Sequence, residues 1–311
     1  MSKLSFVIAF VCCYTLSFSQ QTPLFTQYRD NASIINPAMI GADYLIREYN
    51  VTVGATFRTQ WVGLDNHPVT QSIKGDYIYE NRGVSILSGA YIINDQTGPT
   101  GLTGLYGKIG GILSDDPYWG GLAFAMTVGV QQFRVKTSEI ILRDQGDILA
   151  AEDQNKITPD VGLGIFYYKN LDGGPFENDF VYGGISIPQV LGLNLNFDDA
   201  SGEFNLKRKQ HIYAVAGGYK FLKSGSFLQP SIWVRYVNAA PVSIDFNLRY
   251  QIIEEIYIGG GASLGGNFHF EAGFVIADQL RIGYGYDYPF NTIGPVGGST
   301  HEISLNFAFE R

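Results

Sequence analysis

The sequence predicts an all-β protein, a transmembrane outer-membrane β-barrel of about 14 antiparallel strands. Three observations predict it. An export signal begins the chain, strand-length segments alternate apolar with polar residues, and the connections between those segments are alternately short and longer. Bacterial outer-membrane barrels combine these features, with an even number of strands, short periplasmic turns and longer extracellular loops.

The first residues have the pattern of a secretory signal peptide, which we place at residues 1–19. Lys3 supplies the positive charge, an apolar stretch follows, and Ser17-Phe18-Ser19 offers small residues for cleavage. The alternative, a first membrane helix, is disfavoured because the apolar run is short and polar sequence follows it at once. Cleavage would remove Cys12 and Cys13, so the mature chain would have no disulfide, thiol nucleophile or thiolate metal site.

The composition suits a barrel wall and excludes one class of partner. The 311 residues include 38 glycines, 20 tyrosines and 21 phenylalanines, with 16% charged residues and a net charge of −8. An acidic chain lacks the basic face that nucleic acid requires, so no nucleic-acid partner is expected. Outer-membrane lipid is the expected surrounding.

The last segment, residues 299–311, shows the period of two most clearly. Ile303, Leu305, Phe307 and Phe309 alternate with polar or small residues, and successive side chains of a strand point to opposite faces. Residues 243–251, 267–276 and 280–288 repeat this pattern. Ten other segments are less regular: residues 49–58, 70–79, 84–93, 103–113, 120–133, 161–169, 180–188, 212–221, 228–236 and 256–263.

The apolar faces of these segments are expected to meet lipid and the polar faces to meet the lumen. A soluble β-sandwich would show the same period, but aromatic residues near the strand ends favour membrane-interface girdles. A lipid-facing Arg or Lys at mid-depth costs on the order of 2–4 kcal/mol, so the charges should point inward. They would either pair across a solvated lumen or line a selective pore. The lumen-facing charges predicted in this way are Lys74, Asp76, Asp245, Arg249, His269, Glu271 and Arg281.

The connections set the orientation. Short turns at residues 80–83, 114–117, 223–226 and 277–279 alternate with longer excursions at residues 59–68, 133–159, 188–210 and 289–300. The short turns belong in the periplasm, and both termini fall on that side. Within the second excursion, residues 139–157 could carry a short helix.

No pattern indicates an enzyme, a metal site or a cofactor. The four histidines are scattered, no H-E-x-x-H motif is present, and the glycine-rich residues 259–266 lack the spacing of a phosphate loop. A Ser–His hydrolase on the barrel wall stays open as a third alternative, because such residues are assembled in space.

Several motifs together resemble the PorP/SprF family. They are Asn36-Pro37-Ala38 with Gly41, residues 57–76 (FRTQWVGLDNHPVTQSIKGD), residues 94–99 (NDQTGP), and YGYDY followed by THEISLNFAF near the C-terminus. The resemblance implies partner-binding or structural roles for the following residues: Asn36, Pro37, Gly41, Arg58, Gln60, Trp61, Pro68, Thr70, Asp95, Gly98, Asp287, His301 and Glu302.

The resemblance also implies a function. Members of this family are outer-membrane proteins of type IX secretion, and some are implicated in gliding motility and in holding secreted adhesins at the cell surface. The expected partners are therefore a secreted surface protein or its C-terminal domain, together with periplasmic components of the machinery. The alternative is a diffusion channel for small solutes.

Three domains follow from these expectations. Residues 1–19 form the signal peptide, residues 20–48 a periplasmic N-terminal segment, and residues 49–311 the barrel. Since Asn36-Pro37 disfavours regular structure, the N-terminal segment would either plug the lumen or dock on a periplasmic partner.

Overall fold

A computed structural model describes residues 25–136, 153–173, 178–191, 194–199, 202–207, 209–222, 225–238, 240–290 and 297–311. The predicted signal peptide lies outside the described residues, as do residues 139–152 of the predicted helical stretch. Residues 154–157 of that stretch lie in a strand.

Fourteen strands of the described chain form one closed antiparallel barrel, which confirms the predicted fold class. The barrel strands are β1 (Val51–Thr59), β2 (Val69–Tyr79), β3 (Gly83–Thr97), β4 (Thr100–Ser114), β5 (Gly120–Val135), β6 (Gln154–Asn170), β7 (Phe180–Ile187), β10 (His211–Phe221), β11 (Phe227–Val237), β12 (Ser243–Ile253), β13 (Ile256–Ser263), β14 (Asn267–Ile276), β15 (Leu280–Pro289) and β16 (Thr300–Phe309). Each of the fourteen predicted segments corresponds to one of them.

The barrel closes between its first and last strands. Strand β1 pairs with β16 from Val51 opposite Phe309 to Thr59 opposite His301. Closure leaves no open sheet edge to face lipid, which is the condition for a sheet to span a bilayer. None of the helices in the described part of the chain is long and apolar enough to cross a membrane.

Two connections differ from the sequence prediction. The excursion between β7 and β10 contains a separate two-stranded sheet of β8 (Asn194–Asp199) and β9 (Gly202–Lys207). The excursion predicted at residues 133–159 is shorter, because β5 continues to Val135 and β6 begins at Gln154. Pro159 interrupts the alternation of apolar and polar residues, so the sequence pattern does not show that β6 begins before it. The missing N–H of Pro159 is tolerated because β6 has no paired strand on one side at this position.

The two faces of the wall differ as the alternation predicts. In β16 the side chains of Ile303 and Leu305 are 51% and 44% exposed on the outer surface, whereas Glu302 and Ser304 are completely buried. The same contrast runs around the barrel, with Ile73, Ile109 and Phe270 among the most exposed side chains. An apolar belt of this kind is stable only in contact with acyl chains.

The barrel has a turn end and a loop end. The turn end carries the connections that follow β2, β4, β6, β10, β12 and β14, together with both ends of the barrel chain. The loop end carries the others, of which residues 98–99 and 264–266 are as short as turns. By the general rule for outer-membrane barrels, the turn end is periplasmic.

Residues 25–47 lie inside the barrel and are called the lumenal segment. They contain two short helices, α1 (Ala32–Ile35) and α2 (Ala42–Arg47). Helix α2 lies at the turn end, where Arg47 donates hydrogen bonds to the carbonyl oxygens of Asp278 at 2.6 Å and Glu254 at 3.3 Å. Glu48 ends this helix with a left-handed φ of 58°, and the chain then enters β1.

The lipid contact leads to a stability prediction. Phe270→Lys places a charge near mid-depth on the outer face, and we expect it to lower the free energy of unfolding by about 2–4 kcal/mol. Phe268→Lys, on the same strand and face but near the loop end, should cost only about 0–1 kcal/mol because its ammonium group reaches the interface. Denaturant unfolding in lipid vesicles, followed by tryptophan fluorescence, measures both. Equal losses would contradict the assigned membrane position.

Candidate functional site

The candidate site is the contact surface between the lumenal segment and the inner wall. The wall contributes charged side chains that the hydrocarbon forces inward, and the segment contributes polar groups that meet them. Four groups of contacts hold the segment.

The first group joins the start of the segment to β1, β15 and β16. Arg58 forms ion pairs with Asp287 at 2.9 Å and with Glu302 at 3.3 Å. Glu302 accepts hydrogen bonds from the backbone N–H groups of Thr26 at 2.7 Å and Gln27 at 2.9 Å. The Thr26 hydroxyl lies 2.7 Å from the Arg58 Nη1 and 2.9 Å from the Asp287 Oδ2. Three residues implied by the family resemblance therefore bind one point of the segment.

The second group is a chain of alternating charges on β12, β14 and β15. Arg29 pairs with Glu271 at 2.8 Å, and Arg249 pairs with the same carboxylate through Nε at 3.0 Å and Nη2 at 2.8 Å. Asp30 lies 3.5 Å from Arg249 and 3.3 Å from Arg281. All five side chains are buried or nearly so, which makes each charge depend on its partners.

Asp30 stays ionised in this setting. Burial raises the pKa of its carboxyl group, but the Arg281 and Arg249 guanidiniums lower it further, so the pKa lies below its ordinary value. Arg281 extends the chain of charges to α2, because its Nη2 and Nη1 donate hydrogen bonds to the Asp43 carboxylate at 2.5 Å and 3.1 Å. The segment is thus tied to the same arginine at two places, once before and once after α1.

The third group lies on β2 and β4. Ser33 of α1 donates a hydrogen bond to Asp76 at 2.7 Å. Asp76 also pairs with Lys108, and with Lys74 at 3.8 Å. The Asp76 carboxylate therefore links the helix to both lysines of this part of the wall.

The fourth group lies across the lumen on β6 and β7. Asn36 donates a hydrogen bond to the carbonyl oxygen of Ile165 at 3.2 Å, and Ser186 donates one to the carbonyl oxygen of Ile35 at 2.9 Å. Gly164 makes room for this contact, since a Cβ at its position would overlap the Asn36 amide and crowd Pro37. The segment therefore crosses the lumen from one wall to the other.

Other residues implied by the resemblance lie at the loop end. Thr70 donates a hydrogen bond to Asp95 at 2.5 Å on the inner face. The Gln60 N–H donates to the Pro68 carbonyl at 2.9 Å, which closes the base of the first loop. Trp61 begins that loop with a left-handed φ of 57°.

Two glycines and a histidine complete the set. Gly98 has a φ of 54°, and its N–H donates to the Asn66 carbonyl at 3.0 Å. Gly41 is the N-cap residue of α2. His301 lies on the outer surface of the barrel, away from the lumen, where its ring nitrogens lie 2.6 Å from the Tyr284 hydroxyl and 3.0 Å from the Ser299 hydroxyl.

The remaining predicted inward charges, Asp245 and His269, line the lumen near the loop end. Asp245 pairs with Arg235 at 3.7 Å. Within the described ranges, no three His, Cys, Asp or Glu side chains are grouped so that they could hold a metal ion.

The sequence prediction missed the polar residues of the segment itself. Thr26, Gln27, Arg29 and Asp30 supply most of its contacts, yet they have no period that would assign them to a strand face. The signal that could have revealed them is the polar run Thr26 to Asn31, which carries both charge signs and lies just ahead of the first strand.

Comparison with known proteins gave one family. The family model described as type IX secretion system membrane protein PorP/SprF matches residues 17–307. A search of curated proteins gave no match.

The solved structures that resemble the chain are bacterial outer-membrane proteins. The Acinetobacter baumannii outer membrane protein Omp33 is 9% identical over 84% of this chain and 98% of its own, with a TM-score of 0.47. The Pseudomonas putida toluene transporter TodX is 9% identical over 90% and 94%, with a TM-score of 0.48. An outer membrane channel from Pseudomonas putida F1 is 17% identical over 87% and 100%, with a TM-score of 0.44.

The contacts of Glu302 lead to a second prediction. Glu302→Gln removes the charge that accepts the Thr26 and Gln27 amides, and hydrogen bonds to a charged group are worth about 1.5–3 kcal/mol. We expect hydrogen exchange at these two amides to accelerate roughly tenfold, as measured by mass spectrometry of the peptide that contains them. Glu310→Gln, at the exposed residue that follows the same strand, is the matched control and should change nothing. Unaltered exchange in the Glu302 variant would show that this carboxylate does not hold the segment.

Proposed function

Because the chain belongs to the PorP/SprF family of type IX secretion system membrane proteins, we propose that it anchors secreted surface proteins or helps to deliver them. It lies in the outer membrane of a Gram-negative bacterium and works with the secretion machinery. The secreted partner is an adhesin or its C-terminal domain, held at the loop end. The protein performs no catalytic step in this role.

One observation carries the choice of a scaffold over a channel. The lumenal segment crosses the barrel and is fixed to both walls by ion pairs and hydrogen bonds, from Glu302 on one side to Ser186 on the other. A route for solutes would need this segment to move, and each buried pair broken on the way is costly because it leaves an uncompensated charge. A fixed barrel suits a protein that presents a surface.

The loop end offers such a surface. The last pair between β6 and β7 joins Leu163 to Ile187, and residues 154–162 of β6 continue past β7 while still paired with β5. With 17 residues, β6 is longer than the 9–11 or so that a strand needs to cross a bilayer. This extension supports a platform for a secreted protein outside the membrane.

The turn end supports a contact with periplasmic components. There α2 packs on the turn between β4 and β5, with the Tyr44 and Tyr118 rings stacked at 4.9 Å. Trp119 in the same turn is 43% exposed. In this proposal residues 1–19 are removed as a signal peptide and residues 20–48 form the N-terminal segment, whose described residues 25–47 both fill the lumen and present α2 to the machinery.

The second candidate is a diffusion channel for small solutes. It is favoured by a cavity that remains beside the lumenal segment near the turn end, lined by charged side chains such as Arg29, Lys74 and Lys108. A channel would act on its own, without a secreted partner.

A deletion strain tests the proposed role. We expect loss of the gene to abolish display of surface adhesins and gliding, and the wild-type gene to restore both, as measured by protease shaving of intact cells and by motility on agar. The role would be refuted if the deletion strain displayed as much adhesin as its parent and glided equally well.

Conductance separates the two candidates. In planar bilayers we expect purified wild-type protein to give almost no stepwise current, and a variant that lacks residues 25–40 to give clear steps, because the segment no longer crosses the lumen. A folded barrel migrates faster on a gel before heating than after it, so this shift checks that the wild-type protein and the deletion variant are both folded. Wild-type steps as large as those of the deletion variant would favour the channel.

A further inference from the structure

The described part of the lumen contains a cup at the loop end, above the lumenal segment. Phe25 and Ile35 form its floor, while Trp233, Asn247, His269 and Tyr213 contribute to its walls.

The wall of the cup is a row of inward side chains across neighbouring strands. Trp233 of β11 lies opposite Asp245 of β12, Asp245 opposite Ser263 of β13, and Ser263 opposite Asn267 of β14. All four residues line the cup. Three strand spacings of about 4.8 Å make this row about 14 Å long, so the cup is elongated.

Several polar atoms of the residues that line the cup have no hydrogen-bond partner in the protein, which indicates a ligand. They include the Trp233 Nε1, the Arg235 Nε and the Asn247 Oδ1. The Trp233 and Asn247 side chains are only 4% and 6% exposed. Buried donors and acceptors are nearly always satisfied in folded proteins, and here both kinds belong to side chains that line the same elongated space.

The charges of the cup are already paired among themselves. Arg58 pairs with Asp287 at 2.9 Å, and Arg235 with Asp245 at 3.7 Å. The cup therefore does not select a strongly charged ligand. It offers neutral donors and acceptors on one wall, and apolar surface on the floor, where Tyr28 packs edge-on against Trp233 at 4.7 Å.

From this arrangement we propose that the cup binds an extended peptide segment of the secreted surface protein. An extended backbone presents N–H and C=O groups in alternation, which match the unpaired acceptor of Asn247 and the donors of Trp233 and Arg235. At about 3.3 Å per residue, a row of this length takes about four residues, whose apolar side chains rest on Phe25 and Ile35. The inference rests on the proposed function, because that function supplies the partner.

A photocrosslinking experiment in the native bacterium tests this. p-Benzoylphenylalanine is placed at Asn267, inside the cup, and for comparison at Phe268, which is the next residue on the same strand and faces lipid. After irradiation, mass spectrometry maps what is joined to each position. We expect the Asn267 probe to join one short stretch of a secreted surface protein, and the Phe268 probe to join no such stretch.

Two substitutions check that recognition uses the unpaired polar atoms. Trp233→Phe removes the indole N–H, and Asn247→Leu removes the amide. Together they should lower the yield of the Asn267 crosslink about fivefold or more. Tyr236→Phe, on the outer face of the same strand as Trp233, also removes one polar hydrogen from an aromatic ring but outside the cup, and it should leave the yield unaltered. Surface exposure of the loop end to protease, equal in all variants, shows that they are folded and inserted.

Every other result overturns the proposal. Crosslinks from Asn267 to a saccharide, to loops of this same chain or to nothing would each exclude a bound peptide, as would a yield insensitive to Trp233 and Asn247. Failure here while the deletion strain loses adhesin display would leave the proposed function standing and refute only the cup. If display persists in the deletion strain, the proposed function itself fails.

Discussion

The buried ion pairs between the wall and the lumenal segment are the constraint on which this structure depends. The hydrocarbon outside forces charged side chains inward, and inside the barrel they lose most of the water that would solvate them. Glu302 is completely buried, so its charge requires Arg58 and the two amides of the segment. The segment in turn has polar groups that only the wall can satisfy. Each part therefore supplies partners for the buried polar groups of the other.

The strands were predictable from the sequence, and the partners of their inward side chains were not. The alternation of Ile303 and Leu305 with Glu302 and Ser304 follows from the geometry of a strand and the polarity of lipid, so it is visible in a short window. The pairing of Glu302 with the Thr26 amide joins residues 276 positions apart, and the segment that contains Thr26 has no period. Long-range contacts of this kind depend on where the chain crosses the lumen, which local pattern does not encode.

The glycines of the wall are a second feature whose long-range contacts the local sequence pattern does not predict. A glycine inside a strand weakens it, and one reason to keep it there is the close approach of another part of the chain. Gly164 faces Asn36 and Gly283 faces Gln27, and a Cβ at either position would overlap the side-chain amide it faces. The sequence shows glycines in these strands but not which of them receive the segment, because that assignment needs both walls and the segment together.

Buried ion pairs are an expensive way to fill a barrel, since apolar side chains of similar volume stabilise a protein at least as well. Ion pairs instead fix the arrangement of the chain. Arg281 pairs with Asp30 and with Asp43, which lie on either side of α1, and so sets the path of the chain between them. That path places Phe25 beneath the loop end and α2 at the turn end. The proposed function uses both positions, because it needs one surface outside the membrane and another in the periplasm.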